Sequence, residues 1–118
     1  MSSIFITGIS GLIGSRLAYR LSSEGKKVIG SGRNDLEFKN DNIKYYKANL
    51  SNKNELENIF LENNISTIIH LASPTDHSSF SNNKNETLEM NLNAIFNLSN
   101  LAMKYDVKKI IYSSSGKV

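Results

Sequence analysis

Three glycines at regular spacing lie where a strand is expected to meet a helix. In the segment TGISGLIG they are Gly8, Gly11 and Gly14. Residues 3–7 (SIFIT) predict a short buried strand, and helically spaced apolar residues follow from Leu12. The first glycine allows a tight turn, the second lets backbone N–H groups approach a pyrophosphate, and the third lets the helix pack closely on the strand. With the unpaired N–H donors of the helix start, the segment predicts a dinucleotide-binding loop rather than a turn with incidental glycines.

The end of the second predicted strand bears on which dinucleotide is bound. NAD sites usually carry an acidic residue about 20 residues after the glycine loop, where it binds the ribose hydroxyls. Residues 26–32 end instead in Gly32, and Arg33 follows. An arginine can pair with a 2′-phosphate, and one charge-assisted hydrogen bond of about 1.5–3 kcal/mol corresponds to roughly 10- to 150-fold in affinity. We therefore expect NADP, with NAD as the alternative if Arg33 simply faces water.

Strands and helices alternate along the chain in the order β-α-β-β-α-β-α-β. The third strand is expected near 43–47 and the fourth over 66–72, while the fifth lies within 107–115. Asn52 should cap a helix that runs to about residue 63, and a long helix should cover about 86–105. This alternation predicts an α/β fold, a doubly wound parallel sheet of the Rossmann type with strand order 3-2-1-4-5 and helices on both faces.

Two helices are expected to bury an apolar stripe against this sheet, and Gly25 stands where a C-terminal cap of the first belongs. The stripe of the first helix comprises Leu12, Ile13, Leu17, Ala18 and Leu21, and that of the long helix comprises Leu88, Leu92, Ile95, Leu98, Leu101 and Ala102.

Composition excludes several other classes of protein. The chain has 118 residues, a length that suits one domain, and no cysteine, so neither a disulfide framework nor a thiolate metal site is expected. Its lysines are scattered and its net charge is +3, which does not form the clustered basic patch of a nucleic-acid binder. No apolar run is long enough for a membrane span and no signal peptide is evident. We expect a cytoplasmic protein with no nucleic-acid or membrane partner.

The sequence resembles the extended short-chain dehydrogenase/reductase family, the NAD(P)-dependent epimerases and dehydratases, over essentially its whole length. TGISGLIG is similar to the TGxxGxxG loop of that family, and HLAS (70–73) to its H-x-A-A segment. MNLNAIFNLSNLA places Asn91 at the asparagine of the family's long helix. YSSSGKV resembles the family's S-S-x-x-V segment, which implies that Ser115 is the catalytic serine.

The resemblance also implies a set of cofactor contacts. The expected cofactor-binding residues are Gly8, Ser10, Gly11, Leu12, Ile13, Gly14, Arg33, Asn49, Leu50, Leu71, Ala72, Ser73, Asn91 and Ser113. Asn49 replaces the family's aspartate near the adenine, and its amide could still accept from the adenine amino group. Ser73 replaces the second alanine of the H-x-A-A segment.

The largest departure concerns catalysis. The family's reaction depends on a tyrosine and a lysine four residues later, beyond the fifth strand, where the lysine lowers the tyrosine pKa. Only Tyr105 and Lys109 have this spacing, and they straddle a helix end and a strand start. We expect residues 1–118 to be a single partial NAD(P)-binding Rossmann domain, truncated after the fifth strand and inactive alone.

Three interpretations of the chain stay open. It could be part of an epimerase or dehydratase acting on a nucleotide sugar, a non-catalytic NADP(H)-binding module, or an interaction unit. An exposed fifth strand, with Ile110 and Ile111, favours a homo-oligomer. His70 is expected to be structural rather than a general base. Asp76 and His77 are adjacent in a polar loop but lack the further ligands that a metal site needs.

Overall fold

The computed structural model describes residues 2–71 and 84–113, with the backbone alone for residues 84–88. In chain order, its elements are β1 (Ser3–Thr7), α1 (Leu12–Ser23), β2 (Lys27–Gly32), β3 (Ile43–Lys47), α2 (Lys53–Glu62), β4 (Ile65–His70), α3 (Lys84–Lys104) and β5 (Lys109–Tyr112). All neighbouring strands pair in parallel, in the order β3-β2-β1-β4-β5. The predicted α/β fold and strand order are confirmed.

Both predicted helix caps are present. The side chain of Asn52 accepts hydrogen bonds from the backbone N–H groups of Asn54 and Glu55, which satisfies two of the donors that a helix start leaves unpaired. Gly25 ends α1 with a φ of +84°, a left-handed conformation that glycine adopts without a Cβ penalty. The N–H of Lys26 then donates to the carbonyl of Leu21 and turns the chain into β2.

The sheet is covered on both faces. On one face α1 packs through Ala18, Leu17 and Leu21 against a buried cluster from the strands. On the other face α2 and α3 cover a larger cluster, whose members include Phe5, Ile68 and Leu98. Each of these three side chains is fully buried, and such burial stabilises the fold by about 1.5–3 kcal/mol per large apolar side chain.

A polar contact also joins the two helices of the second face. The Glu57 carboxylate accepts from Lys104 Nζ at 2.5 Å and from the Tyr105 hydroxyl at 2.8 Å. These two hydrogen bonds lower the pKa of Glu57. The Tyr105 ring stacks on Phe60 with centroids 5.7 Å apart, while Lys109 begins β5. Tyr105, directly after α3, therefore contacts α2, and a helix end and a strand start separate it from Lys109.

Parts of the predicted apolar stripes are wrong. Leu12 and Ile13, in the first turn of α1, are 68% and 71% exposed. In α3 the buried side chains are Ala94, Leu98, Leu101 and Ala102, whereas Leu92 and Ile95 are exposed. Leu88 lies outside the side chains that the structure describes.

Apolar groups are exposed on α3 and on the edge strand β5. Leu92, Ile95, Phe96 and Met103 lie on the exposed side of α3, and β5 is an edge strand whose Ile111 is 44% exposed. We call the four α3 residues the outer face of α3. In the part of the chain that is described, no helix has the length and apolar character needed to cross a membrane.

Candidate functional site

The glycine loop connects β1 to α1 at the carboxyl edge of the sheet. Gly8 has a φ of +69°, so the chain turns sharply as it leaves β1. The N–H of Gly11 donates to the carbonyl of Gly8 at 3.0 Å, which closes the turn. No side chain caps α1, and its first turn contains no acidic residue. Its first N–H groups are therefore available to an anionic group such as a phosphate.

The second and third glycines differ in what they leave room for. A Cβ on Gly14 would collide with the carbonyl oxygen of Gly8 and lie 2.9 Å from the Cα of Ile9, so the close packing of α1 on β1 requires glycine there. A Cβ on Gly11 would meet only the Gly8 carbonyl, at 3.4 Å. Gly11 has a φ of −72°, which any residue adopts. Packing within the chain thus explains why residue 14 is a glycine. At Gly11 the missing side chain leaves open space outside the loop, and the pyrophosphate of a dinucleotide would approach there.

Arg33 directly follows β2 at the same edge. It is exposed, and no described side chain forms an ion pair or hydrogen bond with its guanidinium group. The next residue, Asn34, accepts a hydrogen bond on its carbonyl oxygen from the hydroxyl of Tyr45, at 2.5 Å. The guanidinium group of Arg33 is therefore available to a ligand. The backbone beside it is held by the hydrogen bond from Tyr45 to Asn34.

Asn49 lies in the turn that follows β3. Its Oδ1 accepts from Ser51 N at 3.0 Å and from Ser51 Oγ at 2.7 Å. Because a backbone N–H can only donate, this contact fixes which end of the amide is oxygen, and both lone pairs of that oxygen are in use. The expected acceptance from an adenine amino group stays a prediction, and in this geometry it would compete with the two Ser51 contacts. What Asn49 offers a base is its NH₂ group, a donor.

Leu50 is held beside Asn49 by the long helix. Its carbonyl oxygen accepts from Asn97 Nδ2 at 3.0 Å, and its side chain packs against the core beneath α2 and α3. Sequence reasoning missed Asn97. The signal that could have indicated it is its place in the MNLNAIFNLSNLA segment, six residues after Asn91 on the same helix.

A row of polar side chains crosses the sheet just below its carboxyl edge. Ser31 of β2, Thr7 of β1, His70 of β4 and Tyr112 of β5 are in register on adjacent strands. Thr7 Oγ1 lies 2.7 Å from His70 Nδ1 and accepts from Leu71 N at 3.0 Å. The His70 and Tyr112 rings meet edge to face at 5.8 Å. We call these four residues the polar row; contacts among Thr7, His70 and Tyr112 join the ends of β1, β4 and β5.

His70 is buried within this row. Burial lowers its pKa, since the imidazolium form would lose hydration without gaining a carboxylate partner. Its carbonyl oxygen accepts from both the N–H and the hydroxyl of Ser113, at 3.2 and 3.3 Å. A buried neutral histidine bonded to a threonine suits the expected structural role. Ser31 differs from its neighbours because its buried hydroxyl has no hydrogen-bond partner among the described residues.

The residues predicted from sequence gather at one edge of the sheet. The carboxyl end of β1 bears Gly8, Ser10, Gly11, Leu12, Ile13 and Gly14; β2 bears Arg33; β3 bears Asn49 and Leu50; β4 bears Leu71; and β5 bears Ser113. Asn91 lies half-buried on α3. Ala72, Ser73 and Ser115 lie outside the described residues, as do Asp76 and His77. Elsewhere in the described chain no cluster of side chains could hold a metal ion.

Comparison with known proteins shows the family. The sequence profile described as the NAD dependent epimerase/dehydratase family matches residues 4–118. The chain therefore belongs to the NAD-dependent epimerase/dehydratase family.

Individual relatives agree with this assignment. The chain is 29% identical to a UDP-glucuronate 4-epimerase of Thermodesulfobacterium geofontis over 100% of its own length and 41% of that protein. It is 34% identical to a dTDP-D-glucose 4,6-dehydratase of Dictyostelium discoideum, again over 100% of this chain but 30% of that protein. The chain thus spans well under half the length of these relatives.

The fold also matches solved structures. A UDP-glucose 4-epimerase from Bifidobacterium longum, solved in complex with NAD+ and UDP, superposes with a TM-score of 0.84 at 25% identity. The match covers 98% of this chain and 37% of that one. A UDP-glucose 4-epimerase solved with NAD+ therefore shares the Rossmann-like sheet of this chain.

Proposed function

We propose that residues 1–118 form the dinucleotide-binding part of an epimerase- or dehydratase-type oxidoreductase. The observation that carries the proposal is the loop at Gly8–Gly14, where an uncapped helix start meets open space beside Gly11. When bound, a nicotinamide dinucleotide supplies this family's chemistry by accepting and returning a hydride. The chain's own residues would bind and orient it, with the pyrophosphate at the start of α1.

The residues present fit such a cofactor. Backbone donors face the place where two negative phosphates would lie, and the first turn of α1 has no carboxylate to repel them. Asn49 offers an amide donor after β3, at the same sheet edge as the loop. These are contacts that a dinucleotide with an adenine at one end can use.

We further propose that NADP is preferred over NAD. At the end of β2, where an acidic residue would bind ribose hydroxyls, stands Gly32, and the guanidinium of Arg33 beside it has no partner among the described residues. Arginine recognises phosphate groups through paired N–H donors.

Gly11 allows the proposed site to be tested without loss of the fold. A Cβ there meets only an ordinary contact, so Gly11→Ala should fold, while its methyl group would fill the space beside the loop. We expect calorimetric titration to show at least tenfold weaker binding of NADPH, with an unchanged thermal midpoint. Ser23→Ala, at the opposite end of α1, is the matched control. Unchanged affinity in Gly11→Ala would rule out binding at this loop.

For the complete protein we propose a nucleotide-sugar substrate, with Ser115 in the catalytic role that the family resemblance implies. Support comes from relatives named as UDP- and dTDP-sugar enzymes. The chain of 118 residues is expected not to turn over, because it contains no tyrosine–lysine pair in the family's helix. Steady product from UDP-sugars or dTDP-sugars with added NADP or NAD would contradict this.

We also propose a homo-oligomer in the cytoplasm. The outer face of α3 presents Leu92, Ile95, Phe96 and Met103 to solvent, and burying these groups against a second copy would remove them from water. The absence of cysteine supports the cytoplasmic location. The alternative function is a non-catalytic NADP(H)-binding module, which the same binding site would serve.

A further inference from the structure

Gly32 occupies a position where no other residue fits without a rearrangement. A Cβ at this residue would lie 2.6 Å from the hydroxyl oxygen of Tyr45, and 3.3 and 3.4 Å from two of its ring carbons. Tyr45 belongs to β3 and is the register partner of Gly30, so its ring reaches along β2 toward the strand end. The tyrosine thus fills the space that a side chain at position 32 would need.

The same hydroxyl makes a second contact. It donates to the carbonyl oxygen of Asn34 at 2.5 Å, one residue beyond Arg33. The Tyr45 ring is held from behind by Phe38, at 6.0 Å between centroids, and Phe38 in turn contacts Tyr19 of α1 at 5.7 Å. This aromatic row leaves the Tyr45 side chain little freedom to turn away from the segment that follows β2.

We propose that Tyr45 is a positioning residue for cofactor selectivity, and this proposal rests on the proposed function. Its hydroxyl fills the space that a side chain at position 32 would need and tethers the backbone that carries Arg33. A carboxylate at position 32 that could recognise NAD would have to displace this hydroxyl, and the tether holds the guanidinium where a 2′-phosphate can be met. Tyr45 acts through Gly32 and Arg33 and has no assigned contact with the cofactor itself.

The charges around Tyr45 are consistent with a hydroxyl that stays protonated and donates. Burial raises the pKa of Tyr45, and the nearby Asp35 carboxylate raises it further. Asp35 itself lies 3.4 Å from Lys47 Nζ, an exposed ion pair beside the same loop. The loop after β2 is therefore attached to β3 at two successive residues, Asn34 and Asp35.

The decisive variant is Tyr45→Phe, which keeps the ring packing and removes only the hydroxyl. We expect NADPH to bind roughly 2- to 12-fold more weakly, the net value of one neutral hydrogen bond, while the Kd for NADH stays unchanged. Tyr46→Phe is the matched control, because the neighbouring hydroxyl donates to Glu62 and accepts from Asn63, away from the Arg33 loop. The control should leave the ratio of the two Kd values unchanged.

A second variant tests the contact between position 32 and the Tyr45 hydroxyl separately. Gly32→Ala forces the Tyr45 hydroxyl aside, so it should weaken NADPH binding in the wild-type background and have little further effect in the Tyr45→Phe background. Hydrogen exchange gives a readout that needs no cofactor. Amides in residues 33–37 should exchange faster in Tyr45→Phe than in wild type, and at the wild-type rate in Tyr46→Phe.

The outcomes separate this inference from the proposed function. If wild type prefers NADPH but Tyr45→Phe keeps the same Kd ratio and the same exchange rates, the inference is wrong and the binding site stands. If Tyr45→Phe weakens NADPH and NADH equally, its role is structural and the inference is again wrong. If wild type binds neither dinucleotide, or both equally, the proposed selectivity fails and the inference fails with it.

Discussion

Thr7 Oγ1 and His70 Nδ1 lie 2.7 Å apart and join the ends of β1 and β4. These two strands are central neighbours in the sheet, and the crevice of a doubly wound fold opens at such carboxyl ends. The threonine hydroxyl also accepts from Leu71 N, the first backbone donor after β4. One hydroxyl therefore fixes both the histidine side chain and the start of the segment that follows it.

Thr7→Val tests the two hydrogen bonds of the Thr7 hydroxyl. Valine has nearly the same shape, but it leaves Leu71 N and the buried His70 ring without their partner. We expect a loss of about 1–3 kcal/mol in the free energy of unfolding, measured by urea denaturation.

The control for this variant is Thr67→Val, three residues before His70 on β4, where no hydrogen bond of the hydroxyl is present in the described structure. We expect it to change stability by less than about 0.5 kcal/mol. Equal losses in the two variants would mean that the Thr7 hydrogen bonds contribute nothing specific.

Stability should fall in mildly acidic solution because of His70. Burial lowers its pKa in the folded state below the ordinary value of about 6.5, so the unfolded chain binds the proton more readily. The contribution of the neutral ring is complete above pH 6.5 and is lost as the pH falls from there toward the folded-state pKa. Urea denaturation between pH 7.5 and pH 5 should show this slope.

His70→Gln should remove that slope. A variant whose stability still falls as steeply as wild type across this window would show that His70 is not the responsible group.

Asn49→Asp should weaken binding of the adenine end. A carboxylate can keep the contacts with Ser51 N and Ser51 Oγ, but it removes the amide donor that Asn49 offers to a base. We expect roughly fivefold weaker binding of 5′-AMP by calorimetry, on the scale of one hydrogen bond. Asn52→Asp, the same change at the cap of α2, should leave this affinity unaltered. Equal or tighter binding in Asn49→Asp would argue against use of the amide donor.

The sequence was most informative where one residue type has one structural use. Gly25 could be placed at the end of α1 and Asn52 at the start of α2 because the left-handed turn and the N-terminal cap favour few residues. The strand order followed from alternating elements. The buried face of α3 was harder, because Leu92 and Ile95 are as apolar as Leu98 and nothing in their spacing distinguishes the sheet side from the outer side.

The supporting contacts of the site were beyond sequence reasoning for a different reason. Tyr45 lies 13 residues from Gly32, and Thr7 lies 63 residues from His70, so each contact depends on strand register. The alternation of strands and helices predicts which strands pair, but not which hydroxyl contacts which neighbour. The use of both lone pairs of Asn49 by Ser51 is likewise a matter of local turn geometry that composition does not reveal.

The outer face of α3 should govern self-association. Phe96 is 62% exposed, and Phe96→Asp would place a charge in the middle of the proposed interface. We expect light scattering to show a wild-type oligomer that Phe96→Asp converts to a monomer. The control is Asn58→Asp, on an exposed position of α2. A wild-type monomer at all concentrations would contradict the proposed interface.

The central claim is that this chain binds a dinucleotide at its glycine loop and selects it through Arg33. The most direct test is a calorimetric titration of wild type and Arg33→Asp with NADPH and with NADH. We predict roughly 10- to 150-fold tighter binding of NADPH by wild type and loss of that preference in Arg33→Asp. Equal binding of both dinucleotides by wild type, or binding of neither, would contradict it.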